Sequence, residues 1–441
     1  MGKVLEVAII LGFFCTLLGR DGAARLGLFD PIVSIVVALC LLLLLLYKRV
    51  NLGIVLAATA VFLGLLALDW TEIPIVIYQT SEDPLTISVT LATFAIMLLS
   101  QLYKETGVIN SLSESVSRLV NNPKIVLSVL PAIIGFLPVS GGALMSAPLV
   151  DMEGDKLKLN SERKAYLNLW FRHTIFPVYP ISQPLIVTAA LTGVIVPLII
   201  VRQIPVVIVM ILVGYLIGYR KVKSGKNYGD VSNGEKKKGD VKAFLFSFSP
   251  ILVTIVVAIV LESIGLGFAQ QGFDVLIATF VGLTILIAIS GMHSKVFLRP
   301  FKSPGIYGVA LAAYAAFLLR NMMVASGLTS AFANIASNGN VNLILLLTAM
   351  PAALGLLTAS PQGGVAVSVS ILAAITPFSP AVAALIYISA YLGYTVAPTH
   401  LCFKFTADYF KCPLTRVYRY ILPSFIVTFA TAILVYLLVP L

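Results

Sequence analysis

The sequence of 441 residues is poor in charge, since only 11% of its residues are Asp, Glu, Lys or Arg. It also lacks several enzyme motifs. There is no His-Glu-x-x-His zinc pair, no phosphate-binding P-loop, no Gly-x-Gly-x-x-Gly dinucleotide motif and no Gly-x-Ser-x-Gly turn. These absences predict a protein that is not an enzyme and has no resident cofactor. The missing P-loop also argues against transport driven by ATP hydrolysis in this chain.

Cysteine is scarce as well. The four cysteines, Cys15, Cys40, Cys402 and Cys412, lie in or beside apolar segments and do not have the spacing of a metal site. We therefore expect buried free thiols rather than a disulfide framework or a metal centre.

Hydrophobic residues, in contrast, make up 59% of the chain, and they recur in stretches of membrane-spanning length such as Asp30 to Tyr47 and Ile195 to Tyr219. A soluble core has no use for so many such stretches, so the sequence predicts a polytopic protein embedded in the lipid bilayer. The formal net charge of +11 concentrates in short connections, above all Arg220 to Lys242. Because Lys and Arg beside spanning helices mark the cytoplasmic face, the charge does not indicate a nucleic-acid partner.

One pattern of small and helix-breaking residues occurs twice, once in each half of the chain. Pro131-Ala132, Gly135, Leu137 and Ser140 match Pro351-Ala352, Gly355, Leu357 and Ser360 without a gap. The match continues, after Pro361-Gln362 is inserted in the second copy, as Gly141-Gly142 and Ser146 against Gly363-Gly364 and Ser368. Interrupted hydrophobic segments at corresponding places in two halves are typical of a transporter's binding site.

The sequence therefore predicts an all-α polytopic membrane protein with about 11 transmembrane helices and two re-entrant hairpins in two repeats. A retained N-terminal helix (1–20) precedes the first repeat (29–219), a basic cytoplasmic linker (220–242) follows it, and the second repeat spans 243–441. Each repeat contains a hairpin, at 123–150 and 341–373, and then a proline-broken helix, at 165–194 and 381–410. Short interfacial stretches are predicted at 109–120 and 328–336.

The positions of the basic loops predict the topology. With Lys48, Lys104 and the loops 156–164, 220–242, 295–302 and 411–419 on the cytoplasmic side, all predicted crossings alternate properly. We expect a plasma-membrane protein with a cytoplasmic N-terminus and an external C-terminus. The two hairpins then enter from opposite faces, so the repeats are inverted and their tips meet near the midplane.

The hairpin tips and the broken helices supply the candidate binding residues. Helix N-termini at the tips would attract an anion, and exposed carbonyls, such as those of Val139 and Ala359, could hold Na⁺. For any single serine, close helix packing is the alternative. The predicted solute-binding residues are Ser140, Gly141, Gly142 and Ser146 in the first tip, Thr358, Ser360, Gln362, Gly363 and Ser368 in the second, and Tyr179, Ser182, Gln183 and Thr399 at the breaks.

Four ionisable residues at membrane depth are further candidates, because charge is costly there. Arg172 and His173, placed about two turns before the first break, could balance an anionic solute. His400 could titrate as a proton-coupling group. Asp408 could couple as well, or it could simply pair with Lys404 four residues earlier.

Two stretches carry a resemblance to a known family: Leu137-Pro138-Val139-Ser140-Gly141-Gly142 with Ser146-Ala147-Pro148, and Ala397-Pro398-Thr399-His400-Leu401-Cys402. They resemble the ion transporter superfamily of citrate, gluconate and dicarboxylate permeases, and specifically its prokaryotic branch of unknown function, DUF401. The resemblance implies inverted repeats, a homodimeric scaffold and elevator-like movement. Dicarboxylate permeases have a Ser-Asn-Thr tip, whereas this chain has Ser140-Gly141-Gly142 and Ser360-Pro361-Gln362. The resemblance therefore does not extend to dicarboxylate specificity or to the Na⁺ sites of that tip.

These patterns predict a secondary active transporter for a small, anionic organic solute, coupled to H⁺ or Na⁺. A cation/proton antiporter is the alternative within transport, although Asp408 is its only strong intramembrane carboxylate. A flippase for a lipid-linked anion, with Arg172 as phosphate partner, is the alternative from another class.

Overall fold

The computed structural model describes residues 31–120, 122–137, 142–222, 241–264, 272–328, 342–373 and 375–439. The predicted N-terminal helix (1–20), most of the basic linker and most of the second interfacial stretch lie outside these residues. Within them the chain is helical and contains no strand.

The described residues before 223 form ten α-helices and a 3₁₀ turn at Phe176–Val178. The helices are α1 (Pro31–Tyr47), α2 (Leu52–Ala67), α3 (Glu72–Glu82), α4 (Pro84–Glu105), α5 (Val108–Leu119), α6 (Pro123–Gly135), α7 (Ala143–Lys156), α8 (Ser161–His173), α9 (Gln183–Thr192) and α10 (Val196–Gly218).

The described residues from 241 onward form nine α-helices and a 3₁₀ turn at Pro300–Lys302. The helices are α11 (Val241–Ile264), α12 (Phe273–Ser290), α13 (Ser294–Leu298), α14 (Pro304–Ala325), α15 (Leu343–Thr358), α16 (Pro361–Leu372), α17 (Pro380–Thr395), α18 (Leu401–Tyr409) and α19 (Leu414–Leu438).

The order of helices recurs between the two halves. Helices α4 and α14 each contain 22 residues and begin with a proline, at Pro84 and Pro304. Helix α6 begins at Pro123, 39 residues after the start of α4. Helix α15 begins at Leu343, also 39 residues after the start of α14. Proline suits a first turn because its missing N–H has no intrahelical partner there. The recurrence therefore extends the duplicated motif to whole helices.

Packing partners recur in the same way. Helix α2 packs on α14, and α12 packs on α4; α6 packs on α8, and α15 packs on α17. The broken helices also exchange partners, because α9 packs on α16 and α18 packs on α7. Each half therefore completes the environment of the other half's helix pair.

Close glycine contacts fix the α15–α17 crossing. A Cβ on Gly355 would collide with the carbonyl oxygen of Ala390, and a Cβ on Gly393 would collide with that of Ala352. Small residues let helix backbones approach in this way inside membranes. The arrangement brings the second helix pair (α15 and α16) directly against its broken partner helix.

Seven described helices, with Ser161–Thr192 counted as one interrupted helix, are long and apolar enough to cross a membrane. Six shorter apolar helices accompany them, among them α6, α15 and α16. The chain is thus an all-helical, multi-pass membrane protein. Helix α5 covers the stretch that the sequence predicts to be interfacial. Helix α3 was not predicted, because its Gln79, Ser81 and Glu82 resemble loop residues.

Both predicted helix breaks are present. Helix α8 ends at His173 and α9 begins at Gln183, whereas α17 ends at Thr395 and α18 begins at Leu401. The first break starts earlier than the sequence suggested, so Arg172 and His173 adjoin it rather than preceding it by two turns. Pro177 explains the early end, since proline removes a backbone donor and disfavours helix in the residue before it.

Candidate functional site

A cavity of about 400 Å³ lies where the second helix pair meets both broken helices. Its wall contains Arg172 and His173 at the end of α8, residues 358–362 between α15 and α16, and residues 399–402 at the second break. Asn51, which caps α2, Leu52 of α2 and Gly308 of α14 close another side. The cavity therefore brings together segments from both halves of the chain.

The first residues of four helices line this cavity. They are Leu52 of α2, Gln183 and Pro184 of α9, Pro361 and Gln362 of α16, and Leu401 and Cys402 of α18. The first turn of a helix has unpaired N–H groups and a partial positive charge. Four such ends bring backbone donors and partial positive charge to the cavity, while the last turns of α8, α15 and α17 also line it.

Arg172 places a guanidinium in the cavity wall and is only 1% exposed. Its Nη2 donates to the Leu137 carbonyl oxygen at 3.0 Å, just beyond the end of α6, but its Nε and Nη1 atoms have no hydrogen-bond partner among the described residues. No ion pair to Arg172 occurs in that part of the chain either. A buried charge is costly without a counter-charge. The described neighbours of Arg172 supply no anion, so an anion bound in the cavity would stabilise its guanidinium.

Two further side chains have unused hydrogen-bonding atoms at the cavity. The Nε2 of Gln362 is buried without a partner among the described residues. Neither ring nitrogen of His400 makes a hydrogen bond of normal geometry with them, although the Thr395 backbone is close enough to interact with the ring. Because buried polar groups are usually paired, these atoms are available to a ligand.

Tyrosines stabilise the unwound backbone of the breaks. Tyr391 Oη donates to the His173 carbonyl at 2.7 Å, and Tyr387 Oη donates to that of Phe176 at 3.0 Å. In the second break, Tyr418 Oη donates to the Val396 carbonyl at 2.8 Å. Broken helices persist at membrane depth only when other groups satisfy the freed carbonyls.

Ala359 gives the second tip an unusual backbone. It has φ of +48° and ψ of +35°, a left-handed conformation that is uncommon for residues other than glycine. Ser360 follows, and its Oγ caps α16 by accepting from the Gly363 N–H at 3.3 Å. Strained backbone of this kind clusters at functional sites, and here it lies in the cavity wall.

A comparison with protein families places the chain in a family. The sequence profile of a family described as proteins of unknown function (DUF401) matches residues 31–439. The chain belongs to the DUF401 family. A search of curated proteins finds no match.

The structure brings together many of the residues that the sequence of this DUF401 chain suggested. Those that line the cavity are Arg172, His173, Gln183, Thr358, Ala359, Ser360, Gln362, Thr399 and His400. Gly142, Ser146, Tyr179, Ser182, Gly363, Ser368 and Asp408 are not among the described lining residues. Val139, Ser140 and Gly141 lie outside the part of the chain that the structure describes.

Several of the residues away from the cavity have structural partners in this DUF401 chain. Ser146 Oγ donates to Asn168 Oδ1 at 2.5 Å, and Ser368 Oγ donates to the Gly364 carbonyl. The ring of Tyr179 packs edge-on against Phe136. Asp408 and Lys404 are exposed on one side of α18.

Sequence reasoning missed two groups of residues. Asn168 joins three helices, since its Nδ2 donates to the Ala143 carbonyl at 2.9 Å and lies 3.5 Å from Thr406 Oγ1. Tyr391, Tyr394 and Cys402 line the cavity. An Asn within the mainly apolar run of residues 165–171 is a detectable signal for the first group. Only the folded structure brings the second group beside Arg172.

Proposed function

We propose that this chain is a secondary active transporter that moves a small organic anion across the membrane, coupled to H⁺ or Na⁺. The observation that carries the proposal is Arg172, a buried guanidinium in the cavity wall with two nitrogen atoms unpaired among the described residues. Arginine presents a planar fork of donors that matches a carboxylate. A carboxylate in the cavity would give Arg172 the counter-charge that its described neighbours lack.

The size of the cavity favours a small solute. Sites for small molecules occupy roughly 300–1,000 Å³, and this cavity, at about 400 Å³, lies near the lower end. The four helix N-termini and the free amide of Gln362 add donors for the remaining oxygen atoms of such a solute. These features support a small carboxylate better than a lipid-linked anion.

The lengths of the helix pairs support re-entrant hairpins. Helices α6 and α7 contain 13 and 14 residues, and α15 and α16 contain 16 and 12. At 1.5 Å per residue each is about 18–24 Å long, which is short of the ~30 Å hydrocarbon core. With the recurring helix order, this supports two inverted repeats of the ion transporter superfamily type.

A second cavity suggests how the solute reaches the site. It has a volume of about 360 Å³, is lined by Lys104, Glu105 and Arg299, and shares Met97 with the first cavity. Basic residues of this kind are typical of the cytoplasmic side. The arrangement supports a state that opens towards the cytoplasm, in an elevator cycle that moves the hairpins and broken helices against α2, α4, α12 and α14.

The coupling ion would bind beside the solute. The Ala359 carbonyl, at the C-terminal end of α15, offers a negative dipole end for Na⁺, and His400 offers a group that can accept a proton. No carboxylate occurs among the described residues that line the cavity. The cation/proton antiporter alternative, which needs one, therefore has less support.

Thermal unfolding of the purified protein with a panel of mono-, di- and tricarboxylates, with and without Na⁺, tests the proposal. A ligand at 100 times its Kd stabilises the folded state by about 2.7 kcal/mol. We expect at least one carboxylate to raise the unfolding temperature in a concentration-dependent way. If no member of the panel shifts the transition, the cavity is not an organic-anion site.

Gln362→Ala should weaken the binding of that carboxylate about 2- to 12-fold, because it removes one neutral donor from the site. The unfolding temperature without ligand should stay near that of the wild type, since Gln362 Nε2 has no partner among the described residues. The measurement is the thermal-shift titration.

Gln203→Ala is the matched control. Gln203 is also buried, but its Nε2 donates to the Ala384 carbonyl at 2.8 Å, away from the cavity. It should lower stability without changing affinity. Unchanged affinity in Gln362→Ala would place the solute nearer the breaks than the second tip.

A further inference from the structure

Three potential metal ligands converge on one side of the cavity. One ligand atom each from His173, His400 and Cys402 lies within 4.8 Å of the others, and all three residues are buried. The chain has three histidines, and two of them belong to this cluster. A tetrahedral zinc site places its nitrogen and sulfur ligands roughly 3.3–3.6 Å apart, so a modest contraction would suffice.

The ring of His173 is oriented as in a metal site. Its Nδ1 lies 2.6 Å from the Leu169 carbonyl oxygen, which can only accept, so Nδ1 carries the proton and Nε2 keeps its lone pair. Metal-binding histidines usually donate their second N–H to a carbonyl or carboxylate in this manner. The Leu169 carbonyl thus prepares Nε2 as a ligand.

The other two residues have free ligand atoms. Both ring nitrogens of His400 lack a hydrogen bond within the described part of the chain, and its ring lies edge-on to His173 with centroids 4.9 Å apart. Cys402 is a buried free thiol in the first turn of α18. Two unpaired ring nitrogens on one buried side chain are unusual without a ligand.

We infer that His173, His400 and Cys402 form a binding site for a transition-metal ion of the Zn²⁺ class. Two imidazoles and one thiolate suit Zn²⁺ or Co²⁺ better than Mg²⁺ or Ca²⁺, which prefer oxygen ligands. Binding would displace the Cys402 proton into solvent. Three protein ligands leave a fourth coordination position, and since all three residues line the cavity, that position is available to water or to an oxygen of the solute.

Arg172 modifies the affinity of this site. Its guanidinium interacts electrostatically with His400, so it opposes an additional positive charge. The Cys402 thiolate offsets part of that repulsion. We therefore expect binding weaker than that of a closed four-ligand structural zinc site. The site goes beyond the proposed transport function because it needs no organic solute.

Cobalt titration of the purified, chelator-treated protein in detergent, without any organic anion, tests this site. We expect one equivalent of Co²⁺ to bind with thiolate-to-cobalt charge-transfer absorption in the near ultraviolet, and Zn²⁺ to displace it. Cys402→Ser should abolish this absorption. His400→Gln, which keeps the sulfur, should weaken Co²⁺ binding at least about tenfold and serves if Cys402→Ser does not fold.

The chain provides matched controls. Burial raises the pKa of the Cys412 thiol to about 11, which disfavours metal binding there, and His293 is exposed outside the cluster. Cys412→Ser and His293→Gln should keep the wild-type absorption. The inference is wrong if wild-type protein shows no charge-transfer absorption, or if that absorption persists in Cys402→Ser or disappears in Cys412→Ser. Because no organic anion is present, these outcomes are independent of whether the protein transports one.

Discussion

Arg172→Gln should lower the affinity for the transported carboxylate by about 100-fold or more, because it removes two charge-assisted hydrogen bonds worth roughly 1.5–3 kcal/mol each. Without ligand, however, the variant should unfold at or above the wild-type temperature. Arg172 is a buried cation with no ion pair among the described residues. Replacing such a charge with a neutral side chain relieves its desolvation cost.

Thermal-shift titration of the variant separates loss of binding from loss of folding. Arg172→Lys keeps the charge but not the planar fork, so it should recover only part of the affinity. Arg118→Gln is the surface control, since Arg118 pairs with Glu114 on the exposed side of α5. If Arg172→Gln binds the carboxylate as tightly as the wild type, the guanidinium is not the anion's partner.

Gly355→Val and Gly393→Val should each prevent the accumulation of folded protein. Their side chains would occupy the positions of the Ala390 and Ala352 carbonyl groups on the facing helix. Overpacking in a well-packed core costs about 1–3 kcal/mol of stability. A collision with backbone should cost more, because backbone cannot rotate away as a side chain can. Size-exclusion chromatography and thermal unfolding in detergent measure the effect.

Gly305→Ala is the matched control within a helix. A Cβ on Gly305 would have its nearest neighbour, Ser303 Oγ, at 3.6 Å, which is ordinary contact. This variant should be neutral or slightly more stable because Ala favours helix. Wild-type stability in Gly355→Val would show that α15 and α17 do not pack as described. There would then be no reason to expect these two helices to move as one body in the transport cycle.

The helix breaks were predictable from the sequence because their physical cause is local. Pro177, Pro180 and Pro184 remove backbone donors from the first broken helix, and Pro398 does so in the second. Each break then needs carbonyl partners, which the tyrosines of α17 and α19 provide. The identity of those tyrosines was not predictable, since they come from other helices.

The site was only partly predictable for the same reason. Polar residues at membrane depth, such as Arg172, Gln362 and His400, stand out in an apolar sequence. Ser368 stood out equally, but in the structure its hydroxyl bonds the carbonyl four residues earlier, as serines in helices commonly do. Cys402 and His173 belong to different halves of the chain, so no sequence spacing could reveal that they lie together.

Contacts at both ends of the first helix pair (α6 and α7) connect it to α8, the first part of the broken helix that follows. Arg172, which lines the cavity, donates to the Leu137 carbonyl beyond the end of α6, so a solute bound to Arg172 would be linked to the position of this pair. At the outer end of the pair, Lys164 contacts Asp151 and Asp155 at 2.6 and 2.7 Å and ties α7 to α8. In the proposed transport cycle, α6, α7 and α8 would therefore move together.

Charge movement in proteoliposomes tests the central claim most directly. Wild-type protein on a solid-supported membrane should give transient currents with at least one of a panel of mono-, di- and tricarboxylates under an inward H⁺ or Na⁺ gradient. Arg172→Gln, reconstituted at equal density, should give none with the same carboxylate. Wild-type liposomes that give no current and take up no carboxylate from the panel under either gradient would contradict organic-anion transport, and a current of wild-type size in Arg172→Gln would contradict its assigned site.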